Sequence, residues 1–323
     1  MIRSPVGIAI AAVLLHFPPA GAWDLFGHHV VGAVAWEHME PKTRLAVAEL
    51  LQKAPPDADL ASLLPPGPRA YDLRIRELYI KAQGWADLVR DEIWSQRKER
   101  YDHPDWHYVN RFWTPTASGP RALPERGTLG ELSKRLHESI SRTVDPALAT
   151  GERAVALAWV VHLVGDAHHP LHSSGRVTDL EPEGDRGGND FALDDLDAPN
   201  LHAFWDTILV RARPQDHREG YFRWVSRVAQ ELMTLHPRQS LAGEVAIASP
   251  EEWSKEGAAI AMSGAYPEYL ARGTSPPGRY RDDVFRIAAR QAALGGYRQA
   301  RLLDGLFGKR SESAPDLLPH QIP

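Results

Sequence analysis

Residues 162–172, His-Leu-Val-Gly-Asp-Ala-His-His-Pro-Leu-His, hold four histidines and one aspartate inside an apolar run. His162 and Asp166 lie four apart, so a helix sets both on one face. A polar pair among Ala158, Val161 and Leu163 is costly to bury unless something satisfies it. A divalent metal does so, and imidazole nitrogen with carboxylate oxygen is a donor set that zinc accepts. The spacing returns at His202 and Asp206 in residues 200–206, Asn-Leu-His-Ala-Phe-Trp-Asp. One such pair is ordinarily a surface ion pair; two of them, with His172 beside the first, point to a site for several metal ions. His168 and His169 compete with His172 as ligands, and His169, three residues beyond Asp166, shares its helical face.

The composition agrees with nitrogen and oxygen ligation. The 323 residues include fifteen histidines and no cysteine, so thiolate sites and disulfides are excluded. Ten tryptophans supply large apolar contacts or stacking platforms. The start reads as a secretory signal: Arg3, an apolar stretch over residues 6–17, and Ala20-Gly21-Ala22 as a cleavage site. That stretch is short for a membrane span, and no later one is long and apolar enough, so no membrane anchor is expected. Cleavage before Trp23 would deliver a secreted or periplasmic protein. The net charge of −5 would become −6, since residues 1–22 hold one base and no acid. This is not the profile of a protein that binds duplex DNA by charge alone, but bound dications would make a site locally positive.

The elements that must position these residues read as helices nearly throughout. The spacing predicts helices over residues 26–39, 42–52, 71–94, 129–144, 152–169, 201–211, 218–235, 251–270 and 281–306. Residues 54–68, with five prolines, read as a loop. Residues 101–127 read as irregular, with a short extended piece at 106–110. Residues 173–198 read as a long loop bearing Gly187-Gly188-Asn189. The expectation is one all-α domain over residues 23–310, a removed leader over 1–22 and a loose tail over 311–323.

Three further pieces join the two His/Asp pairs: Trp23-Asp24-Leu25-Phe26-Gly27-His28, Asp87 in Trp-Ala-Asp-Leu-Val-Arg, and His107 in Trp106-His107-Tyr108-Val109-Asn110. In order and spacing, and with the cleavage site, the set resembles the nuclease type I family of zinc-dependent single-strand nucleases and 3′-nucleotidases. The resemblance runs from Trp23 to about Asp206 and implies the all-α fold shared with zinc phospholipase C, holding three zinc ions. It implies a first ion on Asp87, His107, His162 and Asp166, and a second on His172, His202 and Asp206. The third would take the amino nitrogen and carbonyl oxygen of Trp23 with His28 and Asp166, which thus bridges two ions. An α-amino group has a pKa of about 8, so zinc displaces its proton readily, whereas the amide of the unprocessed chain is a poor ligand. The family pattern assigns the ligand to His172 and leaves His168 and His169 as supporting or packing residues.

Zinc acidifies water toward neutrality, so such a cage would supply the nucleophile for in-line attack on phosphorus, releasing the 3′-oxygen and leaving a 5′-phosphate. Asp166 and Arg90 carry the catalytic expectation. Arg90, one turn after Asp87, would neutralise phosphate charge or else form an ion pair with Asp87 or Glu92. Tyr108, Asn110 and Asn189 are the candidate substrate contacts. A ring stacked on a base favours unpaired strands. Asn110 departs from relatives that carry Asp there, and the missing cysteines depart from disulfide-bearing relatives. The expected substrates are single-stranded DNA or RNA and 3′-nucleotides, acted on by a monomer. The alternatives are a zinc phospholipase C and an exported zinc-binding protein without catalysis.

Overall fold

The computed structural model describes residues 23–90 and 95–308. Its helices are α1 (Leu25–His38), α2 (Pro41–Leu51), α3 (Tyr71–Ala82), α4 (Trp85–Leu88), α5 (Ser95–Tyr101), α6 (Leu132–Val144) and α7 (Thr150–Ala167). There follow α8 (Leu201–Asp206), α9 (Ile208–Ala212), α10 (Tyr221–Leu235), α11 (Ala242–Val245), α12 (Pro250–Ile260) and α13 (Gly278–Phe307). The fold is all-α, as expected. The leader over residues 1–22, Glu92 and the tail over 311–323 lie outside the described residues.

Two helices are apolar on every side and so have to be central. In α1 every residue from Phe26 to Trp36 is buried, and α7 is buried from Ala156 to Ala167. Around them α1 packs on α10 and α13, and α7 on α6 and α2. One buried apolar cluster runs from Trp23 to Leu303. Capping fixes where the site-bearing helices begin: Asp24 accepts from the Gly27 amide at 2.8 Å, and Asn200 from the Ala203 amide at 2.8 Å. Where α1 crosses α7, Gly165 allows contact: a Cβ there would stand 2.7 Å from His28 Nδ1.

Several elements differ from the sequence expectation. The helix expected over 71–94 breaks at Gln83 and Gly84, where a Cβ on Gly84 would lie 2.2 Å from Leu25 Cδ1. The break turns the Gln83 carbonyl inward. The extended piece expected at 106–110 is a 3-10 turn over Pro104–Trp106, and the strand β1 (Asn110–Thr116) begins where that expectation ended. It pairs antiparallel with β2 (Gly119–Ala122) and β3 (Thr128–Leu129). The expected loop over 173–198 opens with β4 (Ser174–Arg176), parallel to β1 with Arg111 opposite Ser174. The helix expected over 201–211 is two, and the one expected over 251–270 stops at Ile260 in a π turn. The small sheet combines a local β1–β2 hairpin with a long-range β1–β4 pairing, and helical spacing carries no signal of either.

Candidate metal centre

The cage is assembled from six separate pieces of chain. α7 brings His162 and Asp166, α1 brings His28, α4 brings Asp87, and the turn after Trp106 brings His107. The 3-10 turn Pro170–Ser173 brings His172, and α8 brings His202 and Asp206. His28, His162 and Asp166 are wholly buried, and His107, His172, His202 and Asp206 nearly so.

One half of the cage surrounds Asp166. His107 Nδ1 and His162 Nε2 lie 3.1 and 3.2 Å from its Oδ2, while His28 Nε2 lies 3.3 Å from its Oδ1. The two oxygens therefore face different partners, as a bridging carboxylate requires. Asp87 completes this half, with Oδ1 3.7 Å from His107 Nδ1 and 3.8 Å from His162 Nε2. In the other half, His172 Nε2 and His202 Nε2 are 3.1 Å apart, and Asp206 Oδ1 is 3.6 Å from His202 Nε2. His169, read from the sequence as a supporting or packing residue, also reaches this half: its Nε2 is 3.2 Å from Asp206 Oδ1.

Trp23 is buried against the cage. Its indole donates to the Gly165 carbonyl at 3.1 Å, and the next residue, Asp24, donates its amide to the Asp206 carbonyl at 3.1 Å. These bonds tie the start of the described chain to both halves.

Three rings are aimed by backbone carbonyls. His162 Nδ1 pairs with the Gln83 carbonyl at 2.7 Å, His172 Nδ1 with that of His107, and His202 Nδ1 with that of Gly187 at 2.7 Å. A ring that donates from Nδ1 presents a lone pair at Nε2, the arrangement typical of metal-ligating histidine. Gly187 has φ 63°, and a Cβ there would lie 2.3 Å from the Leu171 carbonyl oxygen. Only glycine holds that carbonyl on His202.

The donors fit zinc. Ligand atoms on tetrahedral zinc at 2.0–2.1 Å lie roughly 3.3 Å apart, the range of the spacings above. Among the described residues, buried atoms without a hydrogen bond include both nitrogens of His28, Asp87 Oδ1, His107 Nε2, Asp166 Oδ1 and Asp206 Oδ1. Native interiors seldom tolerate such a cluster without a partner. Three sets of donor atoms gather closely enough to hold an ion: His28, His162 and Asp166; Asp87, His107 and His162; His169, His172 and Asp206.

The electrostatics follow from burial and pairing. Burial alone would raise the Asp166 carboxyl, but His162, His107 and His28 outweigh it and hold it well below the ordinary carboxylate range. Burial likewise opposes charge on His162, yet Asp166 and Asp87 lift it to about 9. Asp206 moves the other way: burial, then the charges of Asp24, Asp87 and Asp166, push it well above its usual value. A dication beside these groups reverses that balance and favours every donor in its deprotonated form.

A cleft of about 230 Å³ opens onto the cage, lined by Arg90, Tyr108, Asn110 and Asn189 together with His107, His172 and His202. Arg90 pairs with Asp87, one of its two sequence readings, and also faces the cleft. Its Nη1 is 3.7 Å from Asp87 Oδ1 and its Nε 3.4 Å from Asp102 Oδ1, and it lies on the cleft wall. The Tyr108 hydroxyl donates to Asp105 at 3.2 Å, and the Asn189 amide donates to the Arg186 carbonyl at 2.8 Å. Asn110 is buried at the start of β1. Arg186, unremarked in the sequence, also lines the cleft, from a backbone with φ 52°. Asp102 and Arg186 carried no motif; only their placement in space reveals them.

A helical shell around a buried His/Asp cage with a cleft at its mouth defines a metal-dependent hydrolase. Residues 23–308 match the S1/P1 nuclease family. Endonuclease 2 of Arabidopsis thaliana is 24% identical over 298 residues, covering 90% of this chain and 92% of that protein. Nuclease S1 of Aspergillus oryzae is 29% identical over 164 residues, 46% of this chain and 53% of its own length. Nuclease P1 of Penicillium citrinum is 25% identical over 179 residues, with shares of 52% and 63%. The chain belongs to the S1/P1 nuclease family. It is a nuclease, a hydrolase of phosphodiester bonds, and its described residues include His/Asp clusters able to hold metal ions.

Proposed function

We propose that this chain is an exported nuclease with three zinc ions that cleaves single-stranded DNA or RNA to 5′-phosphorylated products and also accepts 3′-nucleotides. The observation that carries the reading is the convergence of His28, Asp87, His107, His162, Asp166, His172, His202 and Asp206 in one cage, of which His107, His172 and His202 line the cleft. Asp87, His107, His162 and Asp166 would hold one ion, and His172, His202 and Asp206 a second. His28, Asp166 and the main chain of Trp23 would hold the third once cleavage frees the Trp23 nitrogen. The domain would span residues 23–310 as a monomer, with 1–22 removed on export to the periplasm or medium.

Zinc in this cage supplies Lewis acidity and a water acidified toward neutrality. The protein's own groups do the rest. Asp166, deprotonated and shared between two sets of rings, fixes their separation. Arg90 lies between two carboxylates, which hold its guanidinium on the cleft wall where it can meet a phosphate oxygen as charge builds. The half-buried Tyr108 ring offers a face to a base, and the amides of Asn110 and Asn189 offer donors and acceptors to base or sugar. Stacking of that kind needs an unpaired base, so it favours single strands. Trp159 lies edge-on to His107 and His162 with ring centroids 5.4 and 6.2 Å away, and it walls the cage from water.

A release assay tests the reading. Acid-soluble nucleotides from single-stranded DNA or RNA are expected. Phosphocholine from phosphatidylcholine, with no nucleotide released, would mean the phospholipase alternative, and neither product would mean the zinc-binding one.

A further inference from the structure

His169 follows Asp166 closely, yet it does not extend α7. His168 ends the helix at φ −104°, ψ 6°, and His169 is extended at φ −94°, ψ 113° ahead of Pro170. The change sends the two neighbouring rings apart. His168 points into the protein, where Nδ1 pairs with the Val164 carbonyl at 2.7 Å and Nε2 with Arg298 Nη1 at 3.0 Å. His169 turns toward α8, its ring centroid 5.0 Å from that of His172 and 5.5 Å from that of His202.

Neither nitrogen of the His169 ring makes a hydrogen bond, although the residue has no exposed surface. Asp206 Oδ1, 3.2 Å from His169 Nε2, makes none either. The two atoms are close but not aligned to share a hydrogen. A buried imidazole left with both nitrogens unsatisfied is costly, and a shared cation removes that cost at Nε2 and at Asp206 together. The edge of Trp23, 4.8 Å away between centroids, and that of Trp205 at 6.3 Å hold the ring in this direction.

We propose that His169 is a ligand of the second metal site, which then has His169, His172, His202 and Asp206 as donors. The inference rests on the zinc reading above and departs from the three-residue set implied by the family resemblance. Three nitrogens and one oxygen complete a tetrahedron from protein groups alone. This ion then has as many protein donors as the first. The resting site offers no vacant position unless its coordination expands.

The test uses the leader-cleaved protein, histidine labelled with nitrogen-15 and loaded with cadmium-113, whose scalar coupling to ring nuclei identifies ligands directly. The expected spectrum couples His169 to the same cadmium resonance as His172 and His202. His169→Gln is expected to lose that coupling, shift that resonance and weaken the ion giving it at least about tenfold against a competing chelator. Coupling to His172 and His202 with none to His169 overturns the proposal and leaves the zinc reading intact. No cadmium coupling to any histidine overturns both. If His169→Gln does not fold, the wild-type spectrum decides alone.

Discussion

His172 and His202 face one another through their Nε2 atoms across 3.1 Å while each holds its Nδ1 against a backbone carbonyl. With both Nδ1 atoms donating, two lone pairs meet, and neither neutral ring has a hydrogen for the other. A cation between them resolves the conflict, and the carbonyls of His107 and Gly187 preset the rings for it. Much of the site obeys the same logic: backbone fixes the ring and the ring waits for charge.

Asp166 turns one oxygen to His28 and the other to His107 and His162. Asp166→Asn keeps the volume but loses the charge. Zinc content by plasma mass spectrometry and nucleotide release should fall together, with activity down at least about 100-fold. Full zinc content with activity lost would reduce Asp166 to a role in chemistry alone.

Arg90 is expected to act on the substrate. Arg90→Ala should lower kcat by about 100-fold while zinc content stays at the wild-type value, and Arg90→Lys should recover part of the loss. Loss of zinc in both variants, in step with activity, would instead make the Asp87 pairing its whole function.

Gly187 is needed for its shape. Gly187→Ala adds a Cβ 2.3 Å from the Leu171 carbonyl oxygen at a backbone with φ 63°. The loop must shift, at a cost of about 1–3 kcal/mol, and the carbonyl holding His202 moves with it. Thermal unfolding should register the lost stability, and the zinc held by His202 should leave faster. An unchanged Tm and unchanged zinc retention would contradict this.

His168 sets an acid limit on stability. Burial, then the charge of Arg298, push it down to about 3 from an ordinary value of 6.5. Below pH 6.5 the unfolded chain therefore binds a proton that the folded chain refuses. The stability it represents is whole above 6.5 and is lost as the pH falls toward 3, by up to about 1.4 kcal/mol per pH unit. Urea unfolding at pH 7.5 and pH 5, with and without His168→Gln, isolates the contribution. The variant should lose less stability on acidification than the wild type, and equal losses would contradict the assignment.

The sequence made two things legible: the helical shell and the members of the cage. His162 with Asp166 and His202 with Asp206 stand out because four-residue spacing on a helix is a local property. His169, which the sequence reading leaves as a supporting or packing residue, turns toward α8, since helical spacing stops meaning anything where Pro170 ends α7 and the chain turns. The carbonyls of Gln83 and Gly187 left no trace, because a backbone atom has no residue code. The strand β1 joins a local hairpin with β2 to a parallel pairing with β4 some sixty residues on, Arg111 opposite Ser174, and helical spacing signals neither pairing.

Zinc counting on the purified protein, with the leader cleaved before Trp23 and with residues 1–22 retained, tests the central claim most directly. The account predicts three ions per cleaved chain and one fewer on the uncleaved chain, whose Trp23 nitrogen is an amide. Nucleotide release should be lost with the zinc and restored with it. Equal zinc content in the two forms would contradict the role of Trp23, and nucleotide release that survives complete zinc removal would contradict the metal centre itself.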